Sequence, residues 1–169
     1  MDSSLADFIG FFTRDEAPAA RVAERLTLAL REPAAYQNQF ADELAERGIE
    51  APLPAQELRD VALLDALLAE DLACEADWQD TAADMAEGLN EVLMRQGQAT
   101  RLQPNTLPKS GAAGPEQLDA VQAALEPLGL ALVLFALDSD SFPLGAVAET
   151  DAESLRGSAR ELGFGLTVY

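Results

Sequence analysis

The residues best placed to do chemistry are Asp138 and Asp140, two apart in Asp138-Ser139-Asp140-Ser141 at the end of an apolar run. Carboxylates so spaced can share a divalent cation through hard oxygen ligands, and the ends of buried strands are frequent places for sites. The surroundings favour a plain turn. Asp and Ser side chains hydrogen-bond turn backbone, and Pro143 fixes the exit. A calcium-binding EF-hand loop needs a Gly and a distant bidentate Glu that this stretch lacks. A metal-dependent enzyme centred on Asp138 and Asp140 is therefore the third of three readings.

Other catalytic routes close quickly. The chain has no His, which removes Ser-His-Asp and Cys-His arrangements and histidine-ligated metals. Cys74 is the single cysteine, so it builds no intramolecular disulfide and no thiolate zinc site. Acidic neighbours Glu75 and Asp77 raise a thiol pKa rather than lower it, so Cys74 reads as a half-buried helical residue. Gly111-Ala112-Ala113-Gly114-Pro115 lacks the Lys-Ser/Thr step of a phosphate loop. Haloacid-dehalogenase-type phosphatases place D-x-D after an apolar strand, but too little sequence follows Asp138 for the rest of that fold. Acid pairs suited to glycoside hydrolysis carry no signal where carboxylates are this abundant. The expectation is a protein that is not an enzyme, with no cofactor and no metal.

The charge says more. Thirty acidic residues against eleven cations give a net charge of −19 over 169 residues. From Asp60 to Glu91 ten acids occur without one Lys or Arg. A one-signed field steers cationic partners in and keeps polyanions out, so nucleic acid and anionic membranes are excluded as partners. With 49% hydrophobic residues the chain is an ordinary globular sequence, and its acid must be solvated on faces. The start, Met1-Asp2-Ser3-Ser4-Leu5-Ala6-Asp7, has neither the basic nor the apolar region of a signal peptide, and no apolar run spans a bilayer. A cytoplasmic protein is expected.

Periodicity supplies the scaffold. Leu5, Phe8, Ile9 and Phe12 share one helical face, either packed on the body or exposed as a docking stripe. Pro18 opens a helix with Val22, Leu26 and Leu30; Pro33 closes it and restarts another through Tyr36, Phe40 and Leu44 to Gly48. Pro52-Leu53-Pro54 starts a fourth, with Leu58, Val61, Leu64, Leu68 and Leu72 inward. Asp77 caps a fifth that turns Trp78, Ala82, Met85, Leu89 and Leu93 inward and Asp80, Asp84, Glu87 and Glu91 outward. Like charges at those spacings repel, and no cation softens them. Residues 99–115 lose periodicity and gather Pro and Gly, which marks a linker between a helical half, 1–98, and a mixed unit, 116–169. In that unit a helix from Pro115 to Leu128 precedes a strand over Leu130 to Leu137, apolar enough to be buried on both faces. The turn through Asp138 leads to a second strand, Leu144 to Ala148, as a hairpin. Thr150 caps a helix over Ser154 to Leu162, and Phe164 to Tyr169 forms the last strand. The fold class is α+β: about five helices, then an α-β-β-α-β unit packed with them as one compact domain.

The run Leu134-Phe135-Ala136-Leu137-Asp138-Ser139-Asp140-Ser141-Phe142-Pro143-Leu144 and the ending Leu162-Gly163-Phe164-Gly165-Leu166-Thr167-Val168-Tyr169 resemble a bacterial family of uncharacterised domains, the likeness being confined to Leu134–Tyr169. The resemblance implies a small cytosolic α+β protein and brings no activity with it. In general build, though not in any motif, the chain is similar to immunity proteins that block toxins. The leading expectation is a non-enzymatic module whose acidic faces, through Asp65, Asp71, Asp80, Asp84, Glu87 and Glu91, mask a basic protein surface such as that of a bacterial toxin. The alternative is an adaptor or regulatory domain binding through the apolar N-terminal helix.

Overall fold

The computed structural model describes residues 3–109, 114–137 and 140–169. Helices α1 (Ser3–Gly10), α2 (Glu16–Arg31), α3 (Pro33–Gln39), α4 (Ala41–Glu46) and α5 (Ala55–Ala69) precede a short strand, β1 (Cys74–Asp77). Then come α6 (Ala82–Arg95), α7 (Pro115–Leu125), β2 (Leu130–Phe135), β3 (Ser141–Ala148), α8 (Ala152–Leu162) and β4 (Leu166–Val168), with single 3-10 turns at Pro104–Thr106, Glu126–Leu128 and Glu149–Asp151. The class is α+β: all four strands form one antiparallel sheet in the order β1-β3-β2-β4.

The alternation of side chains along β2 explains why its sequence is continuously apolar. Ala131, Val133 and Phe135 enter a core shared with α1, α2, α5 and α8, while Leu130 and Leu132 enter a second core with α6 and α7. Helices therefore cover both faces of the sheet. Register is set by the hairpin, with Leu134 opposite Leu144 and Leu130 opposite Ala148. Gly145 lies opposite Val133 because Phe135 fills the space beside it: a Cβ there would sit 3.0 Å from the ring's Cε2.

The elements differ from the sequence expectation where polar turn chemistry overrides helical periodicity. The fourth helix ends at Ala69 rather than running through Leu72, and Asp71 takes the left-handed backbone with φ 57°. Cys74 lies in a strand, not a helix, and that strand comes from the segment read as helical. It pairs with β3 from Cys74↔Leu144 to Asp77↔Ser141. The fifth helix starts four residues later than expected. Its cap is Thr81, not Asp77: the Thr81 hydroxyl accepts the Asp84 N–H and the Asp84 carboxylate returns to the Thr81 N–H at 3.1 Å, a capping box. Trp78 is consequently no core residue. It sits in the turn ahead of α6, 50% exposed.

The segment expected to be a linker is partly structured. Leu102 is buried against α6, held by Asn90, whose amide donates to the Leu102 carbonyl at 3.0 Å and accepts its N–H at 2.8 Å. β3 begins at Ser141 and so includes Phe142 and Pro143, which the sequence places in the turn. β2 and β4 are shorter than the apolar runs that contain them. The last helix is preceded by a 3-10 turn, so Asp151 rather than Thr150 occupies its N-cap.

Candidate partner-binding surface

Helices α5 and α6 lie on opposite sides of the sheet, so the six acids expected to bind a partner do not share one face. Asp65, on α5, is inward: its Oδ1 accepts from Arg47 Nη2 at 2.6 Å and Nε at 3.0 Å, and its side chain is only 11% exposed. Asp71 pairs with Arg95 at 3.3 Å across the ends of α5 and α6. Asp80 Oδ2 accepts the Asp77 N–H at 2.9 Å, and Asp84 completes the capping box. Glu87 and Glu91 are different. They stand exposed on the outer face of α6 with no hydrogen bond or ion pair among the described residues. Met94, one turn beyond Glu91 on the same face, is 51% exposed.

Ion pairs are concentrated on one side of the sheet. Arg21, Arg25 and Arg31 are on α2, Arg59 on α5, Arg156 and Arg160 on α8, and Arg47 caps α4. Four of the five ion pairs among the described residues lie on that side: Arg21–Glu70, Arg25–Glu43, Arg47–Asp65 and Arg47–Glu75. Arg25 also lies over the Phe40 ring, 4.0 Å from its centroid, and donates to the Tyr36 hydroxyl at 3.0 Å. On the α6/α7 side the cations of the connecting segment are used locally, Arg101 donating to the Gln98 and Thr100 carbonyls and Lys109 to Asn105. Asp84, Glu87, Glu91, Glu116 and Asp119 are exposed there, α7 holds no cation, and Arg95 is the only one in α6. Asp119 is close enough to Tyr169 that, after burial, its charge helps raise the phenol's pKa.

At the β1 edge the two sides meet in an open groove of about 700 Å³ whose lining includes Trp78, Ile49, Leu137, Asp77, Asp140 and Glu46. Its floor is the Arg47 hub. Burial works against the guanidinium charge, but the hydrogen bonds it donates to Asp65 and Glu75 outweigh that and hold its pKa above normal. Burial likewise pushes Glu75 up, and its bonds to Arg47 and Ser141 outweigh that, leaving its pKa lowered. Asp65 Oδ2 is buried there without a hydrogen-bond partner among the described residues. Cys74, one residue away from this network, is pushed up to about 12 by burial, which disfavours its thiolate at neutral pH.

Of the expected site residues, the groove gathers Asp65 beneath it and Asp80 beside it, while Glu87 and Glu91 lie along α6 and Asp71 at its far end. Trp78 is the residue sequence reasoning placed wrongly. The signal for it was Asp77-Trp78-Gln79-Asp80, in which flanking carboxylates take backbone N–H groups: Asp77 Oδ1 accepts from Gln79 and Asp80 Oδ2 from Asp77.

The expected docking stripe of the alternative reading is not available, because Leu5, Phe8 and Phe12 are core residues at 2%, 0% and 1% exposure, with Phe8 stacked on Phe164. Asp138 lies outside the described residues; among those described, no three acids or Cys converge to hold a metal ion. Among the described residues no helix is long and apolar enough to cross a membrane.

A family model described as Domain of unknown function (DUF6630) matches residues 4–169, so the family relation extends over the helical half as well as the C-terminal segment that resembled such a family. No curated protein and no solved structure matches the chain.

Proposed function

The chain belongs to that family of unknown function, which lends it no activity, and we propose that it is a non-enzymatic protein-binding module that masks a basic surface of a partner protein. One observation carries the reading. Four of the five ion pairs among the described residues lie on the α2/α5 side, whereas on α6 Glu87 and Glu91 have none and stand beside exposed Met94. Unneutralised carboxylates a helical turn apart cost folding a few tenths of a kcal/mol and gain nothing for it, but they attract a basic partner. Met94, half exposed in the last turn of α6 one turn beyond Glu91, provides apolar contact area that charge alone lacks. A toxin that acts on nucleic acid has such a basic surface, which makes an inhibitor or immunity role the concrete form of the proposal.

The test is capture of partners from the native host on wild-type protein and on Glu87→Gln/Glu91→Gln/Glu116→Gln/Asp119→Asn. A basic protein retained by the wild type, released between about 0.1 and 0.5 M salt and at least tenfold depleted on the variant supports the reading. A partner that is held equally by both proteins at both salt concentrations contradicts it.

A further inference from the structure

We infer that the groove at the β1 edge receives an arginine side chain of the basic partner, its guanidinium stacked on Trp78 between the carboxylates of Asp77 and Asp140. The inference rests on the reading that the partner is basic and adds where it is anchored. Trp78 and Met94 are the large apolar side chains left half exposed among the described residues, and Trp78 lines the groove at the β1 edge. No ring or cation among those residues stacks on its indole, the best of the aromatic faces for a cation.

The same molecule shows what such a site looks like when filled. Arg25 lies 4.0 Å over the Phe40 ring and is fastened by the Glu43 carboxylate. At the β1 edge the ring and the carboxylates are present, and the resident cation is committed elsewhere: Arg47 spends both sides of its guanidinium on Asp65 and Glu75. A planar guanidinium stacks and forks in a way the compact lysine ammonium does not, which selects arginine. Addition of a whole strand to β1 is opposed at Asp77, whose N–H is already occupied by Asp80. A side chain entering the groove meets no such obstacle.

Trp78 is the chain's one tryptophan, so its fluorescence reports on this groove and nothing else. An acetylated, amidated tetra-arginine peptide is titrated at low salt by fluorescence and by calorimetry, with tetralysine as comparison. The expected result is a saturable change in Trp78 emission and calorimetric binding weakened about fivefold by Trp78→Ala, less by Trp78→Phe, and less than about twofold by Glu87→Gln/Glu91→Gln. Tetralysine binds more weakly than tetra-arginine. Calorimetric binding that leaves Trp78 emission unchanged and is indifferent to Trp78→Ala and Trp78→Phe overturns this inference while the basic-partner reading stands. Absence of any calorimetric binding overturns both.

Discussion

Replacing Arg47 with Met keeps most of the aliphatic stem and deletes the charge that joins α4, α5 and β1. Four hydrogen bonds go with it, to Asp65 Oδ1 at 3.0 and 2.6 Å and to the two oxygens of Glu75 at 2.9 and 3.3 Å. The two legs differ in worth. Breaking a fully buried pair by removing one partner costs about 3–5 kcal/mol, and an exposed pair about 0–1 kcal/mol. The Asp65 leg is near the first case, since that side chain is 11% exposed and its Oδ2 already lacks a partner. The Glu75 leg is near the second, being 28% exposed and still served by the Ser141 hydroxyl at 2.8 Å. Together they give a loss of about 2–4 kcal/mol, or about 5–15 °C in melting temperature for a chain of this size. Urea unfolding followed by circular dichroism at pH 7 measures it. Because Glu75 has a lowered folded-state pKa, its contribution is present above the ordinary glutamate value of about 4.3 and is lost as pH falls through the folded value. The wild-type advantage should therefore shrink in acid. Arg47→Met/Asp65→Leu should recover at least half of the loss, since no buried charge is left uncompensated. A single variant within about 0.5 kcal/mol of wild type, or a double variant no better than the single, refutes the reasoning.

Three further outcomes follow from the packing. Gly145→Ala places a Cβ 3.0 Å from the Phe135 ring, which is itself packed on Phe12, and should cost about 1–3 kcal/mol in urea unfolding; a neutral effect means the ring can move. Burial raises the Asp60 pKa despite hydrogen bonds from the Gly165 N–H and Gln56, so its contribution favours folding below the unfolded value and is lost as pH rises through the folded one. Asp60→Asn, which keeps the acceptor, should thus gain on wild type between pH 3 and pH 7, and a constant or falling difference contradicts this. Cys74, pushed up to about 12 by burial, should react with a disulfide reagent at pH 8 far more slowly in the native than in the unfolded protein, and equal rates count against that burial.

The apolar run of β2 was legible because burial on both faces leaves no polar position in it, and Gly129 marks its start with a left-handed stop at φ 73°. The α1 stripe was legible as an apolar face, but a sequence cannot say what covers it; Phe164, far along the chain, does. β1 was not legible. Four residues, Cys74–Asp77, carry no alternation long enough to compete with the helical spacing of Leu72 before them and Trp78, Ala82 and Met85 after. That one strand moved Trp78 from core to surface and split the acidic stretch between two sides of the sheet. The pairing of Arg47 with Asp65 and Glu75, 18 and 28 residues away, was equally hidden, since ion pairs across a fold leave no local pattern.

The claim that α6 presents a docking face is tested most directly by site-specific photo-crosslinking in the native host, with the photoreactive residue placed at Glu91 on α6 or, as the reference, at exposed Asn38 on α3. The account predicts a discrete adduct to a basic protein from position 91, weaker or absent from position 38, and lost when crosslinking is carried out in lysate at 0.5 M salt, about three times the physiological ionic strength. An adduct that forms from position 38 and not from 91, or one that survives the salt, contradicts it.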